Sequence, residues 1–98
     1  MIASFRDDWL RAFFMEDIRS RNIPAEIDTR LFRKLQMIDD AVTDDDLRVP
    51  PGNHFEKLRG NWAGLHSILV NQQWRLIFCW DGKRGKASGI YLDDRGYR

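Results

Sequence analysis

Cysteine and long hydrophobic runs are almost absent from this sequence. Cys79 is the single cysteine, so an intramolecular disulfide is impossible and a cysteine-based zinc site is not expected. No apolar run approaches the ~20 residues that a membrane-spanning helix needs. The N-terminal residues MIASFRDDWLRAFF lack the basic region and continuous apolar core of a secretory signal. We therefore expect a cytoplasmic protein with no membrane association.

The signatures of metal and cofactor chemistry are also missing. The sequence has two histidines, and it contains no HExxH, CxxC, P-loop, GxGxxG or serine-hydrolase motif. The acidic run at residues 44–46 lacks the further spaced oxygen ligands of a calcium loop, so it is interpreted as a solvated loop and helix-end cluster. We expect neither a metal nor a cofactor.

What the sequence does contain is enough apolar material for one domain, which we expect to span residues 1–98. Hydrophobic residues make up 43% of the chain and aromatic residues 12%, as in ordinary globular proteins. The net charge of +1 hides an asymmetry, because residues 1–53 carry a net charge of −3 and residues 54–98 a net charge of +4. Positive charge on the C-terminal half is suited to polyanions such as nucleic acid.

Two amphipathic helices are predicted in the first half. From Asp7 onward, apolar residues recur at three- and four-residue spacing, until the stretch around Pro24 breaks the pattern. The second helix is predicted from residue 24 to residue 40 or 41, with one apolar stripe formed by Ile27, Leu31, Leu35 and Ile38. Residues 1–5 are compatible with an edge strand or with a frayed terminus.

Alternating apolar residues predict strands in the second half. Residues 65–70 and 74–80 form a hairpin pattern around a short polar link, and residues 87–92 form a further strand after an Asp-Gly turn. The order of elements predicts an α+β fold of two layers. Because neighbouring strand residues point to opposite faces, burial of Trp74 is expected to place Arg75 on the other face, and His66 is expected to pack beside Ile68.

The candidate site is a group of cations and carboxylates that such a sheet can bring together. They are Arg59, Arg75, Asp93, Asp94 and Arg95, with Lys57 and His54 nearby. RNA cleavage through its own 2′-hydroxyl needs proton transfer and neutralisation of charge on the phosphate, but no metal. Arginine forks match phosphate oxygens and stay charged, so Arg59 and Arg75 are the predicted phosphate ligands. For Arg75, a salt bridge on the solvent face is the alternative.

The sequence resembles the HigB-type toxins of the RelE/ParE superfamily, also called the plasmid maintenance killer family. The matching stretches, in order, are RLFRKLQMID at 30–39, LRVPPGN at 47–53, LRGN at 58–61, GLHSI at 64–68, VN at 70–71 and QWRLIF at 73–78. The resemblance implies two N-terminal helices packed on a curved antiparallel sheet of three to five strands. It also implies a ribosome-dependent mRNA interferase, neutralised by a HigA-type helix-turn-helix antitoxin and contacting operator DNA only through that complex.

Residue by residue, the resemblance places the family's basic position on Arg59 and the arginine of its Gln-Trp-Arg motif on Arg75. Family members often end in Asp-Tyr-His or Asp-Asp-His, whereas this chain has Arg95 in the place of the histidine and Leu69 where relatives commonly carry arginine. We predict catalytic roles for Arg59, Arg75, Asp93 and Arg95, and RNA contacts for His54, Lys57, Lys83, Arg84 and Lys86.

Arginine does not exchange protons near neutral pH, so the replacement at position 95 predicts weakened activity. An inactive toxin-fold protein that binds antitoxin or ribosome without cleavage is therefore an alternative. A ParE-like toxin directed at gyrase is another alternative, because it shares the fold.

Overall fold

Helices come first in the chain and strands follow, as the sequence predicts. The computed structural model describes residues 1–95, and within them it contains three α-helices and four β-strands. The helices are α1 (Asp8–Glu16), α2 (Asp28–Asp40) and α3 (Asp44–Arg48). The strands are β1 (Glu56–Lys57), β2 (His66–Leu69), β3 (Trp74–Asp81) and β4 (Lys86–Asp94). The predicted α+β class is confirmed.

The sheet is antiparallel, and its strands follow one another in chain order from β1 to β4. The N-terminal residues extend it beyond β4, because Ile2 and Phe5 form parallel bridges to Ala87 and Ile90. Of the two possibilities open for residues 1–5, edge pairing is therefore the one observed. A register shift between Ile77 and Cys79 coincides with Gly89, whose φ of 63° is the left-handed conformation of a β-bulge. Such a bulge increases the local twist of the sheet.

The two faces of the sheet differ. Leu76, Phe78 and Trp80 of β3 point toward the helices and are buried with Ile68 in the main core. Arg75 has the opposite orientation, as expected from the partial burial of Trp74 against that core. We call the side of the sheet that carries Arg75 the open face.

Helices α1 and α2 cover the other face with apolar stripes close to those predicted. Leu10 and Phe13 of α1 are buried together with Leu31 and Leu35 of α2. The predicted start of the second helix at Pro24 is wrong by about one turn, since residues Ala25–Ile27 form a 3₁₀ turn and α2 begins at Asp28.

The third helix, α3, is absent from the prediction, which treated residues 44–46 as a solvated loop and helix-end cluster. Its first turn is acidic, and Thr43 and Asp46 form a capping box. The Asp46 carboxylate accepts hydrogen bonds from the backbone N–H groups of Val42 and Thr43 at 2.9 and 3.1 Å. Only Leu47 of α3 is buried, so the helix has no apolar stripe by which a sequence pattern would reveal it.

Candidate nucleic-acid site

Arg75 lies on the open face and is held on two sides. Its Nε donates a hydrogen bond to Asp93 Oδ2 at 2.9 Å, across the β3–β4 pair. Its guanidinium carbon lies 4.6 Å from the centre of the Trp62 ring, which is a cation–π distance. The side chains of Arg75 and Asp93 are only 14% and 24% exposed. Within residues 1–95 no partner is observed for the two terminal nitrogens of Arg75, which form the fork that binds phosphate.

Trp62 reaches Arg75 because the β1–β2 connection folds back over the open face. This connection contains a 3₁₀ turn, Gly60–Trp62, in which the Trp62 N–H donates to the Arg59 carbonyl at 3.3 Å. Gly60 has a φ of 68°, a conformation that a side chain would strain. Trp62 is 38% exposed, so its contact with Arg75 leaves part of the ring open to solvent. Sequence analysis missed Trp62, although an exposed aromatic residue in a loop is a signal for binding.

Asp94 and Arg95 continue β4 toward the β2–β3 turn. The Arg95 backbone N–H donates to the Gln73 carbonyl at 2.7 Å, and its Nη1 donates to the Gln72 carbonyl at 3.4 Å. Gln73 in turn donates to Asp94 Oδ2 at 3.4 Å. Because Arg75 pairs with Asp93, the structure brings Arg75, Asp93, Asp94 and Arg95 to one end of the sheet.

His54 precedes β1, at the end of the sheet where Arg75 lies, whereas Arg59 follows β1, at the opposite end, and is connected to Arg75 through Trp62. Arg59 is exposed, and the structure gives it no ion pair with any of residues 1–95; its carbonyl is bonded to the N–H of the tryptophan that contacts Arg75. His54 is exposed with a φ of 50°, just before β1 begins. Since β1 and β2 are antiparallel, the start of β1 lies at the end of the sheet where β2 finishes and Arg75 is found.

The other predicted RNA contacts lie elsewhere. Lys83, Arg84 and Lys86 lie in or just after the β3–β4 turn, where Asp81 Oδ1 accepts the backbone N–H groups of Lys83 and Arg84 at 3.0 and 3.2 Å. Six residues of strand separate this turn from Arg75, a distance of about 20 Å. Because Lys57 pairs with His66, its side chain points from the edge strand β1 toward the helix side of the sheet. The structure therefore does not gather the predicted RNA-binding residues into one cluster.

His66 packs inside the molecule, as expected from its alternation with Ile68. Its ring stacks on Phe55, with centroids 5.3 Å apart and planes at 10°. Its Nδ1 is buried and has no hydrogen-bond partner among residues 1–95. Burial lowers the pKa of His66, Asp44 opposes this shift and Lys57 adds to it. His66 is thus a packing residue that favours its neutral form.

A small antiparallel sheet that is covered by helices on one side and presents a clamped arginine on the other defines a protein with the architecture of RelE-like toxins. Comparison with known proteins makes the class specific. The family model described as "RelE-like toxin of type II toxin-antitoxin system HigB" matches residues 3–95. The chain belongs to this HigB-like toxin family, which confirms the resemblance inferred from its sequence.

Two relatives are similar over nearly their whole length. The chain is 50% identical to "Toxin HigB-1" of Vibrio cholerae serotype O1 over 97 residues, which cover 99% of this chain and 100% of that protein. It is 38% identical over 93 residues to an uncharacterized protein of Haemophilus influenzae, covering 95% of this chain and 90% of that protein. As a HigB-like toxin of a type II system, the protein pairs with an antitoxin. None of the helices within residues 1–95 is long and apolar enough to cross a membrane.

Proposed function

We propose that this protein is a ribosome-dependent endoribonuclease, which cuts translated mRNA and so inhibits translation. The observation that carries the proposal is the arrangement of Arg75, whose Nε is bonded to Asp93 while its terminal nitrogens face no partner within the described residues. A guanidinium fixed in this way presents two parallel N–H donors, which match the oxygens of a phosphate. Membership in the HigB-like family supports a toxin function for the same site.

The reaction that fits these residues is cleavage through the RNA itself. The 2′-oxygen loses its proton and attacks the adjacent phosphorus, the bond from phosphorus to the 5′-oxygen breaks, and the 5′-oxygen takes up a proton. The products are a 2′,3′-cyclic phosphate and a 5′-hydroxyl. Arg75 and Arg59 would neutralise the negative charge that grows on the phosphate oxygens, and neither step requires a metal.

Asp93 would act mainly on Arg75, since its carboxylate already accepts the Nε hydrogen bond. Arg95 can stabilise charge at the same end of the sheet but does not exchange protons near neutral pH. We propose His54 as a substrate contact, and histidine is a residue type that exchanges protons near neutral pH. Lys57, Lys83, Arg84 and Lys86 would contact the backbone of mRNA or ribosomal RNA further from the cleaved bond.

The proposed partners follow from the family. We propose a HigA-type helix-turn-helix antitoxin as the inhibitor, the translating ribosome and its mRNA as the target, and operator DNA as a partner only of the toxin–antitoxin complex. With these partners, the proposed location is the cytoplasm.

Replacement of Arg75 tests the proposal. Arg75→Gln keeps a polar side chain but removes the charge, and we expect it to slow cleavage by about 10²- to 10³-fold. Arg75→Lys keeps the charge without the fork, so it should restore only part of the rate. Mapping mRNA 5′ ends after induction measures cleavage. Arg21→Gln, at an exposed position far from the open face, is the control for loss of one charge.

If Arg75→Gln is as stable to heat as the parent and still produces the same new 5′ ends, Arg75 does not bind the reacting phosphate. The second candidate function, binding to ribosome or antitoxin without cleavage, is favoured by one observation: the residue at the C-terminal end of the site is Arg95, beside an Asp93 already engaged by Arg75. A stable, growth-inhibiting parent protein that produces no new 5′ ends and no DNA damage would favour this second function over cleavage and over a gyrase-directed toxin.

A further inference from the structure

Helix α2 carries three cations on the side that meets the β2–β3 turn. Arg30 and Lys34 of α2 and Asn71 and Gln72 of the turn line a depression of about 330 Å³. Arg30 and Asn71 also line a neighbouring depression of about 320 Å³, to which Arg33 contributes. The two depressions are adjacent, since Arg30 and Asn71 line both, and together they form the surface discussed below. We call it the α2 groove, and each part has the volume of a small-ligand cleft, about 300–1,000 Å³.

No carboxylate among residues 1–95 forms an ion pair with the cations of the α2 groove. Arg30 and Arg33 are exposed, and neither forms an ion pair with any of residues 1–95. Lys34 donates one hydrogen bond, to the neutral amide oxygen of Asn53, and keeps two further N–H donors. Among the described residues, Glu26 is the one carboxylate that lines the groove.

The three cations are also crowded together. Residues three and four apart on a helix are surface neighbours, so Arg30 lies beside both Arg33 and Lys34. Burial and the positive charge of Arg30 both lower the pKa of Lys34. Like charges held close together at a surface attract an anion, which relieves their repulsion.

The groove lies at the same end of the sheet as Arg75. Gln72, which lines the groove, accepts the side-chain hydrogen bond of Arg95 through its carbonyl oxygen. Leu69 also lines the groove and pairs with Arg75 across β2 and β3. A chain of phosphates bound at Arg75 would therefore meet the α2 cations where it passes around the β2–β3 turn.

We propose that the α2 groove binds the phosphate backbone of the same single-stranded RNA, outside the nucleotides that are cut. The inference rests on the proposed function and extends its substrate from one phosphate to a longer segment. Arg30, Arg33 and Lys34 supply charge for two or three phosphates, and the Asn71 side chain adds a neutral polar contact. Phosphate contacts of this kind position RNA without reading its sequence.

Binding of a non-cleavable RNA tests the groove separately from catalysis. The probe is a ten-nucleotide RNA with every 2′-hydroxyl methylated, and its affinity is measured by fluorescence anisotropy between 50 and 200 mM salt, a range in which about 0.7 unit of logarithmic slope reports each phosphate contact. In the double variant Arg30→Gln/Arg33→Gln we expect the slope to fall by about 1.4, because two contacts are lost. A three-nucleotide probe, too short to reach the groove, should show no such change.

The matched control is Arg11→Gln/Arg21→Gln, which removes the same charge from the α1 side of the molecule. An equal loss of affinity in both double variants would mean that net charge alone matters, and it would overturn the proposal. An unchanged RNA affinity with lost antitoxin binding would assign the groove to a protein partner and overturn it as well. If the groove pair fails to fold, Arg33→Gln alone provides the comparison, with an expected fall of about 0.7.

Message cleavage on the ribosome is measured in parallel with the binding of the probe. If the parent protein cuts no message but the groove variant still binds the probe more weakly than the parent, the proposed function fails and the groove proposal remains. Should the parent cut message while the groove pair binds the probe as the control does, the groove proposal fails and the proposed function remains.

Discussion

At the scale of single residues, His66 is a partly buried histidine whose surroundings favour the uncharged form of its ring. Burial keeps its pKa below the ordinary histidine value of 6.5, and its Nδ1 has no hydrogen-bond partner within residues 1–95. Because the pKa is lower in the folded chain, the unfolded chain binds the proton first as the pH falls. The contribution of His66 to stability is therefore complete above about pH 6.5 and is lost progressively below it.

His66→Phe removes this titration while keeping an aromatic ring to stack on Phe55. We expect the free energy of unfolding of the parent, measured in urea between about pH 5 and pH 7.5, to fall more steeply toward acid than that of the variant. The two proteins differ only at position 66, so the difference between their curves reports the effect of that residue. His54→Phe, at an exposed site, is the control for replacing a histidine by phenylalanine. Parallel curves for the parent and His66→Phe would mean that burial does not perturb this histidine.

At this scale, the sequence predicts the position of a side chain when that position is set by neighbouring residues. The opposite orientations of Trp74 and Arg75 follow from strand geometry alone, and the sequence predicts them. The contact of Trp62 with Arg75 depends on the path of a loop across the open face, which no pattern of neighbouring residues describes. For Arg75 the sequence offers a salt bridge as an alternative but names no partner, since the ion pair with Asp93 depends on the register of β3 with β4.

At the scale of elements, α3 depends on its N-terminal hydrogen bonds more than on burial. Asp46 accepts two backbone N–H groups, and Asp44 accepts the Trp80 side-chain N–H at 2.7 Å, which attaches the helix to β3. We expect Asp46→Ala to lower the free energy of unfolding, because the backbone N–H groups of Val42 and Thr43 lose their acceptor. Asp45→Ala removes an exposed ion pair with Arg48 from the same turn and should lower it by less.

Urea unfolding at pH 7 measures both changes. Equal costs for the two variants would show that the hydrogen bonds of Asp46 do not stabilise α3.

The same helix shows why one element escaped prediction: β3 and α2 have apolar periods of two and about 3.6 residues, whereas α3 buries Leu47 alone. Its start is encoded by polar side chains acting on the backbone, and an acidic run without apolar spacing does not distinguish such a helix from a loop.

At the scale of the whole molecule, the fold brings the residues of the candidate site together at one end of the sheet. Residues far apart in sequence meet there, among them Arg30 of α2, Arg75 of β3 and Arg95 after β4. Family resemblance indicates Arg75 and Arg95 but not Arg30, because the apolar stripe of α2 predicts a core helix and says nothing about charge on its polar side. Lys83, Arg84 and Lys86 lie about 20 Å away along the strands, so they would meet a different part of any long partner.

Position 95 offers the sharpest test of whether this assembled end is a catalyst. Arg95→His introduces a side chain that exchanges protons near neutral pH, next to the end of the sheet where Arg75 is held by Asp93 and Trp62. If the remaining groups are in place, the gain in message cleavage should be about 10²- to 10⁴-fold, the usual worth of one acid or base. New mRNA 5′ ends and growth after induction measure it. Arg21→His makes the same change at an exposed position with no proposed role in RNA binding and should gain nothing. A folded Arg95→His protein with unchanged cleavage would mean that proton transfer is not what limits this site, and would favour binding without catalysis.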